Sequence, residues 1–262
     1  MTRKWLLRQG NADLRRHNIY VWTLPAWVVQ LPSGRFMNVC PSAGVCADLC
    51  FARWGTYRFS NVRAAHMQNL MLTLESLPRF ERLMTEEVQH QRYAGGFVRI
   101  HDAGDFYSRE YLEAWLRIAD SAPDVSFYCY SKEVALLHRV IGKNGEDAPP
   151  NFAWCPSLGG REDRHVDLTR RHADVFPDEE AIGRAGYASQ SASDLLAVYG
   201  PERVGIPANN IPHLRRRQGT KESFGSLQRA RDARLDRKNA RRPSTVTPPP
   251  DQEPEDSIFS RA

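Results

Sequence analysis

Between residues 97 and 207 the chain repeats one pattern: a short run rich in Val, Phe and Tyr, then a segment with helical spacing. The runs fall at 97–101, 125–130, 152–155, 173–176 and 204–207. Ser108 is placed to cap the helix whose apolar stripe is Leu112, Trp115, Leu116 and Ala119. Val134, Leu137, His138 and Ile141 mark the next helix, and residues 166–171 and 192–198 suggest two more. Upstream, residues 19–31 read as a strand or paired strands. Residues 60–76 and 78–93 read as helices, the second with Phe80, Leu83, Met84 and Val88 on one face and Pro78 in its first turn. Buried strands alternating with helices predict an α/β fold with a parallel sheet. The chain has no G-x-G-x-x-G and no G-x-x-x-x-G-K-[ST], which counts against a nucleotide-binding open sheet. About six strand–helix units then predict a partial (β/α) barrel, with its functional edge at the C-terminal ends of the strands.

Charge divides the chain where hydrophobicity does not. The whole carries +5, but residues 214–242 carry eleven Lys/Arg against three acids, and residues 243–262 one Arg against four acids. Residues 1–213 are therefore neutral, with 24 charges of each sign. The expected organisation is an α/β body at 1–213, a basic helical arm at 214–242, and a disordered, Pro-rich tail at 243–262. The arm suits sequence-independent contact with nucleic-acid phosphates, or is simply a solvated helix. No apolar run approaches the roughly 20 residues of a membrane helix, and the first residues lack a secretory signal's apolar core. A cytoplasmic protein with no membrane partner is expected.

Three of the five cysteines, Cys40, Cys46 and Cys50, follow the first strand signal in a C-x5-C-x3-C pattern. Gly44 permits a reversal, and one helical turn would put Cys46 and Cys50 on the same face. Converging thiolates suit a soft metal: a [4Fe–4S] cluster with one iron left open, or zinc with His66 or His101 as fourth ligand. Reduced thiols packed for structure are the third reading. Cys129 and Cys155 lie inside strand signals and read as core.

Polar residues follow several strands. His101, Asp102, Gly104 and Asp105 follow the second, Ser131 and Lys132 the third, Ser157 and the Gly159-Gly160 pair the fourth, and Asn209 and Asn210 the last. They serve equally as helix caps and turns or as a ligand site beside the cysteines. In the ligand reading Asp105 receives an ammonium group, Ser131, Ser157, Gly104 and Asn209 line a cofactor pocket, and His101, Asp102 and Lys132 are the catalytic candidates.

Four ordered motifs carry a resemblance: CPSAGVCADLCFARWGTY at 40–57, RIHDAGDFYSREYLEAW at 99–115, VSFYCYSK at 125–132 and NFAWCPSLGG at 151–160. Together they resemble the phage gene product 88 domain family, over residues 24–214. That implies a phage or prophage setting and names no reaction. The strand leading into a three-cysteine loop also resembles, distantly, the radical S-adenosylmethionine superfamily. This resemblance implies Cys40, Cys46 and Cys50 as cluster ligands and Gly104-Asp105 as the counterpart of its motif for the cosubstrate's amino group. The usual spacing there is C-x3-C-x2-C, and an aromatic residue usually stands where this chain has Leu49. The expectation is an iron–sulfur, radical-S-adenosylmethionine-like enzyme served by an electron donor. The alternative is a non-enzymatic nucleic-acid-binding protein with structural zinc.

Overall fold

The computed structural model describes residues 5–240. The tail at 243–262 and the end of the basic arm, residues 241 and 242, lie outside the described residues. In chain order the strands are β1 (Arg8–Gln9), β2 (Ile19–Trp22), β3 (Val28–Gln30), β4 (Phe36–Asn38), β5 (Phe97–Ile100), β6 (Ser126–Ser131), β7 (Phe152–Pro156), β8 (His172–Phe176), β9 (Ala188–Ser189) and β10 (Arg203–Pro207). The helices are α1 (Ala12–Arg16), α2 (Val45–Asp48), α3 (Ser60–Glu75), α4 (Leu77–Val88), α5 (Arg109–Asp120), α6 (Val134–Ile141), α7 (Glu179–Arg184), α8 (Leu196–Tyr199), α9 (Pro212–Gln218) and α10 (Phe224–Ala240).

The expected α/β class with parallel strands is present. One sheet has the order β1-β2-β5-β6-β7, with β2, β5, β6 and β7 parallel and β1 antiparallel to β2. A second, all parallel, has the order β8-β10-β9. An isolated parallel bridge between Ser157 and Ala173 links them, and Leu158 N–H donates to the Ala173 carbonyl at 2.8 Å. Register sets the functional edge. Trp22 lies opposite Ile100, Ile100 opposite Cys129, and Ser131 opposite Pro156. The residues that leave these strands therefore emerge side by side.

All four residues of β2 are buried, as a parallel strand covered on both faces requires. Trp22, Phe80, Tyr111, Leu112, Trp115, Ile118 and Phe127 share the main core between this sheet and α4–α5. Each contributes roughly 1.5–3 kcal/mol by burial. Trp22 Nε1 donates to the Tyr111 hydroxyl at 2.8 Å, whereas the equally buried Trp115 Nε1 has no hydrogen-bond acceptor among the described residues. Ser108 caps α5 by accepting from Tyr111 N–H at 3.2 Å.

Several expectations need correction. Residues 19–31 are not one strand. β2 ends at Trp22, and β3 pairs with β4 in a separate antiparallel hairpin. The break falls at Thr23 and Pro25, and Trp27 has a left-handed φ of 59° that redirects the chain. Residues 166–171 form no helix, because the Asp167 carboxylate binds the Thr169 amide and hydroxyl in a local turn. The helix expected at 192–198 shrinks to α8, because Asp194 turns its carboxylate to Tyr128 and Arg99. β1, α1, α7 and β9 carried no readable apolar period.

The basic segment starts inside the packed body. Leu214 and Gln218 of α9 are buried, as are Phe224, Gly225 and Gln228 of α10. The rest of α10 is largely exposed. Among the described residues no helix is long and apolar enough to cross a membrane.

Gly159 has φ +99°, and a Cβ there would lie 2.8 Å from the Phe224 Cβ. Gly34 has φ +83° with nothing within 4 Å. Gly159→Ala combines backbone strain with a clash, so it should cost about 2–4 kcal/mol. Gly34→Ala meets strain alone, about 1 kcal/mol. Urea midpoints of the two variants compare them. Equal losses would mean that α10 does not pack where described.

Candidate functional site

The cysteine loop has little regular structure of its own, so distant groups must satisfy its backbone. Ser42 donates to the Glu133 carboxylate through its N–H at 2.7 Å and its hydroxyl at 2.8 Å. Val45 N–H donates to the Gln228 side-chain oxygen at 2.8 Å, and Cys46 N–H to the Gly159 carbonyl at 3.0 Å. Ala43 bridges Gly160, and Arg161 N–H donates to the Ser42 carbonyl at 2.7 Å. α2 ends at Asp48, so Cys50 stands just beyond the helical turn expected to carry it. Cys40, Cys46 and Cys50 nonetheless line the same cavity, of about 790 Å³. All are free thiols. Cys129 and Cys155 are fully buried in separate apolar clusters.

Burial pushes the Cys40 thiol well above its ordinary value, and the Asp105 carboxyl and the other two thiols push the same way. Trp27 N–H opposes this by donating to the Cys40 sulfur at 3.3 Å. Cys50 is pushed up to about 12, chiefly by burial and then by Cys46. Three neighbouring thiolates repel one another, so a cationic centre among them is what would let all three ionise. Among the described residues no group of three or more His, Cys, Asp or Glu is arranged to hold a single metal ion. An iron–sulfur cluster asks for different geometry, because each thiolate binds its own iron and the sulfurs surround the cluster rather than meet at a point.

The strand ends meet this loop. Asp105 is buried, and both its oxygens already accept protein donors. Oδ1 accepts from the Ser131 hydroxyl at 2.7 Å and Phe106 N–H at 2.9 Å, and Oδ2 from Lys132 N–H at 2.9 Å. Burial raises its carboxyl above the ordinary range against these donors. Asp105 thus ties the end of β6 to the loop after β5. Lys132 Nζ donates to Ser157 Oγ at 2.9 Å. Burial drives this amine towards its neutral form, but Cys46, Asp105, Asp163 and Asp174 outweigh it and hold the ammonium. Gly104 has φ +85°, and a Cβ would lie 2.6 Å from that of Leu24. Asn209 is an exposed residue of the cavity wall.

His101 reaches the cavity wall, but its Nε2 lies 2.9 Å from the Tyr111 hydroxyl and burial lowers it to about 3. It stays neutral at any physiological pH, which makes it a poor proton acceptor. Asp102 accepts from the Thr23 hydroxyl and, at 2.6 Å, from Tyr57. His66 also lines the cavity, with burial lowering its affinity for a proton.

Sequence reasoning missed several parts of the site. Arg99 pairs with Asp194 at 3.1 Å and lies over the Tyr130 ring at 5.0 Å. Its Nε is buried without a partner among the described residues. Tyr128 donates to Asp194 at 2.5 Å, and Gln190 donates to the Tyr130 hydroxyl at 2.6 Å. An Arg within the apolar run 97–101 was a readable signal for this cluster. Glu133 and Gln228 gave none, since their loop partners, the Ser42 amide and hydroxyl and the Val45 amide, lie far away in sequence.

Glu133 sits at about 8, raised by burial first and by Asp105 next. A raised carboxyl binds its proton more tightly in the folded chain than in the unfolded one. Its contribution is therefore complete below about pH 4.5 and is lost as pH rises to about 8. Asp163, at about 6, acts in the same direction. Unfolding midpoints should fall between about pH 6.5 and pH 8, above the range in which buried neutral His101 makes stability rise with pH, and Glu133→Gln should flatten that fall. An unchanged slope would show that Glu133 titrates normally.

No solved structure matches the chain. A Gene 88 protein of Mycobacterium phage L5 is 33% identical over 116 residues, covering 40% of this chain and 46% of that protein. A Gene 88 protein of Mycobacterium phage D29 is 30% identical over the same length and shares. The chain thus spans about half the length of the curated relatives it matches. These comparisons give the wider radical S-adenosylmethionine resemblance no support. The gene product 88 profile, in contrast, matches residues 5–239, which takes in the cysteine loop, every strand-end motif and most of α10, and the chain belongs to the gene product 88 family.

Proposed function

We propose that this chain is an iron–sulfur protein of phage or prophage type, with radical-S-adenosylmethionine-like chemistry in the cytoplasm. The observation that carries the reading is the arrival of Cys40, Cys46 and Cys50, from separate turns of one loop, in a single cavity at the strand ends. Their three soft thiols suit a [4Fe–4S] cluster with one iron left open. The two linked sheets are then read as one partial barrel, with the cavity at its C-terminal edge. When bound, the cluster would pass an electron from a donor protein to S-adenosylmethionine and so begin radical chemistry.

The protein's own groups prepare that chemistry. Trp27 N–H bonds the Cys40 sulfur, and the Lys132 ammonium is placed to offset the charge that Cys46 and Cys50 would carry as cluster ligands. Gly104, whose missing side chain makes way for Leu24, shapes the cavity wall, and Ser157 and Asn209 offer hydrogen bonds to a cosubstrate. Asp105 acts here by positioning Ser131 and Lys132, because both its oxygens are engaged.

Anaerobic reconstitution with iron and sulfide should load about four of each per chain and give charge-transfer absorption. Cys40→Ser, Cys46→Ser and Cys50→Ser should each lose most of that absorption, while Cys129→Ala keeps it. Stoichiometric zinc uptake without sulfide would replace this reading with a structural zinc. S-adenosylmethionine should perturb the reduced cluster's electron paramagnetic resonance spectrum. An unperturbed spectrum would leave an iron–sulfur protein without that cosubstrate.

A further inference from the structure

Two segments without an acidic residue meet beside the cavity. Residues 51–63 contain Arg53, Arg58 and Arg63, and residues 211–221 contain Arg215, Arg216, Arg217 and Lys221. The Trp54 and His213 rings join them, with centroids 4.0 Å apart, and the Arg58 guanidinium lies 5.6 Å over Trp54. Each segment also supplies cavity wall: Tyr57 and Val62 on one side, Leu214 and Arg215 on the other. Arg58, Arg63, Arg216 and Arg217 are exposed and have no ion-pair partner among the described residues. Phe59 stands between Arg58 and Arg63 with 59% of its surface exposed.

We infer that this rim binds single-stranded nucleic acid and presents one nucleotide to the cavity. Exposed cations without ion-pair partners on two segments that also supply cavity wall fit a polyanion lying along them, since each phosphate neutralised releases condensed counterions. Phe59, exposed among them, supplies the flat apolar face on which an unpaired base stacks. A duplex hides those faces within its own stack. The cavity's volume, about 790 Å³, lies in the range that encloses a drug-sized ligand, and so admits a base turned out of a strand. The outer part of α10 is a weaker site. Asp232 and Asp236 interrupt its cations, and Arg231 is paired with Asp48 at 3.0 Å. The contact surface is thus at these two segments rather than along the outer part of α10.

This names the substrate class of the proposed cavity and, as a substrate assignment, rests on that reading. The binding itself does not. Fluorescence anisotropy of the full chain with labelled single-stranded DNA, single-stranded RNA and duplex DNA tests it. Wild type should bind at least one single strand more tightly than the duplex. The combined variant Arg58→Gln, Arg63→Gln, Arg216→Gln, Arg217→Gln should weaken that binding at least tenfold. It should also make the salt slope shallower by about 3. Phe59→Ala should weaken single-strand binding by about fivefold or more. Arg234→Gln with Arg237→Gln should stay within about twofold of wild type. Circular dichroism matched to wild type confirms that the variants fold. The better single strand identifies DNA or RNA as the source. Tighter duplex binding, undiminished binding by the rim variant, or a loss confined to the α10 variant would each overturn the inference. Rim-dependent binding in a chain that takes up no iron would sink the enzyme reading and leave this one standing.

Discussion

The site depends on how the backbone of the cysteine loop is satisfied. Residues 40–50 contain one short helix and almost no strand pairing, and Leu49, Val45 and Ala47 are buried. Buried amides in such a loop cost free energy unless partnered. Glu133 takes two donors of Ser42, Gln228 takes the amide of Val45, and Gly159 takes that of Cys46. Such hydrogen bonds contribute roughly 0.5–1.5 kcal/mol each, and leaving a buried donor unmet costs about 1–3 kcal/mol. The thiols face one cavity because groups from the N-cap of α6, from α10 and from the turn after β7 hold the backbone that carries them.

Burying those groups concentrates charge. Asp105, Glu133, Asp163 and Asp174 all have raised carboxyls, with burial the largest cause in each. Lys132 keeps its proton because it lies among the carboxyls and beside Cys46. Opposite charge and hydrogen bonding make this burial tolerable. A positive metal centre would bring the thiolates into the same balance, with Lys132 already placed against their charge.

The legible part of the fold was the part with period. The stripe of Leu112, Trp115 and Ala119 and the buried runs after residue 97 located α5 and four parallel strands to within a residue or two. The short elements were not legible, because two-residue strands and five-residue helices carry too little pattern. The thiols could be grouped from spacing alone, whereas their supports could not. Ser42 and Glu133 are 91 residues apart, and Val45 and Gln228 are 183 apart. Asp105 shows the limit in reverse: its place beside the cysteines followed from its position after a strand, but its engagement by Ser131, Lys132 and Phe106 did not. The charge boundary at residue 214 likewise marks a change in composition and not an end of packing, because Phe224 and Gln228 reach back into the body.

The bond between Val45 and Gln228 sets an order of events at the ribosome. A Cβ on Gly44 would lie 2.1 Å from the Gln228 side-chain oxygen, so the two fit only in this close arrangement. The cysteines are made before Gln228, which follows Val45 by 183 residues. The sheet can begin to assemble while the nascent chain lengthens, but the loop lacks its last anchor until α10 has been translated. Until then the thiols sit on a loop that lacks one of its backbone partners. Final shaping of the cavity waits for α10.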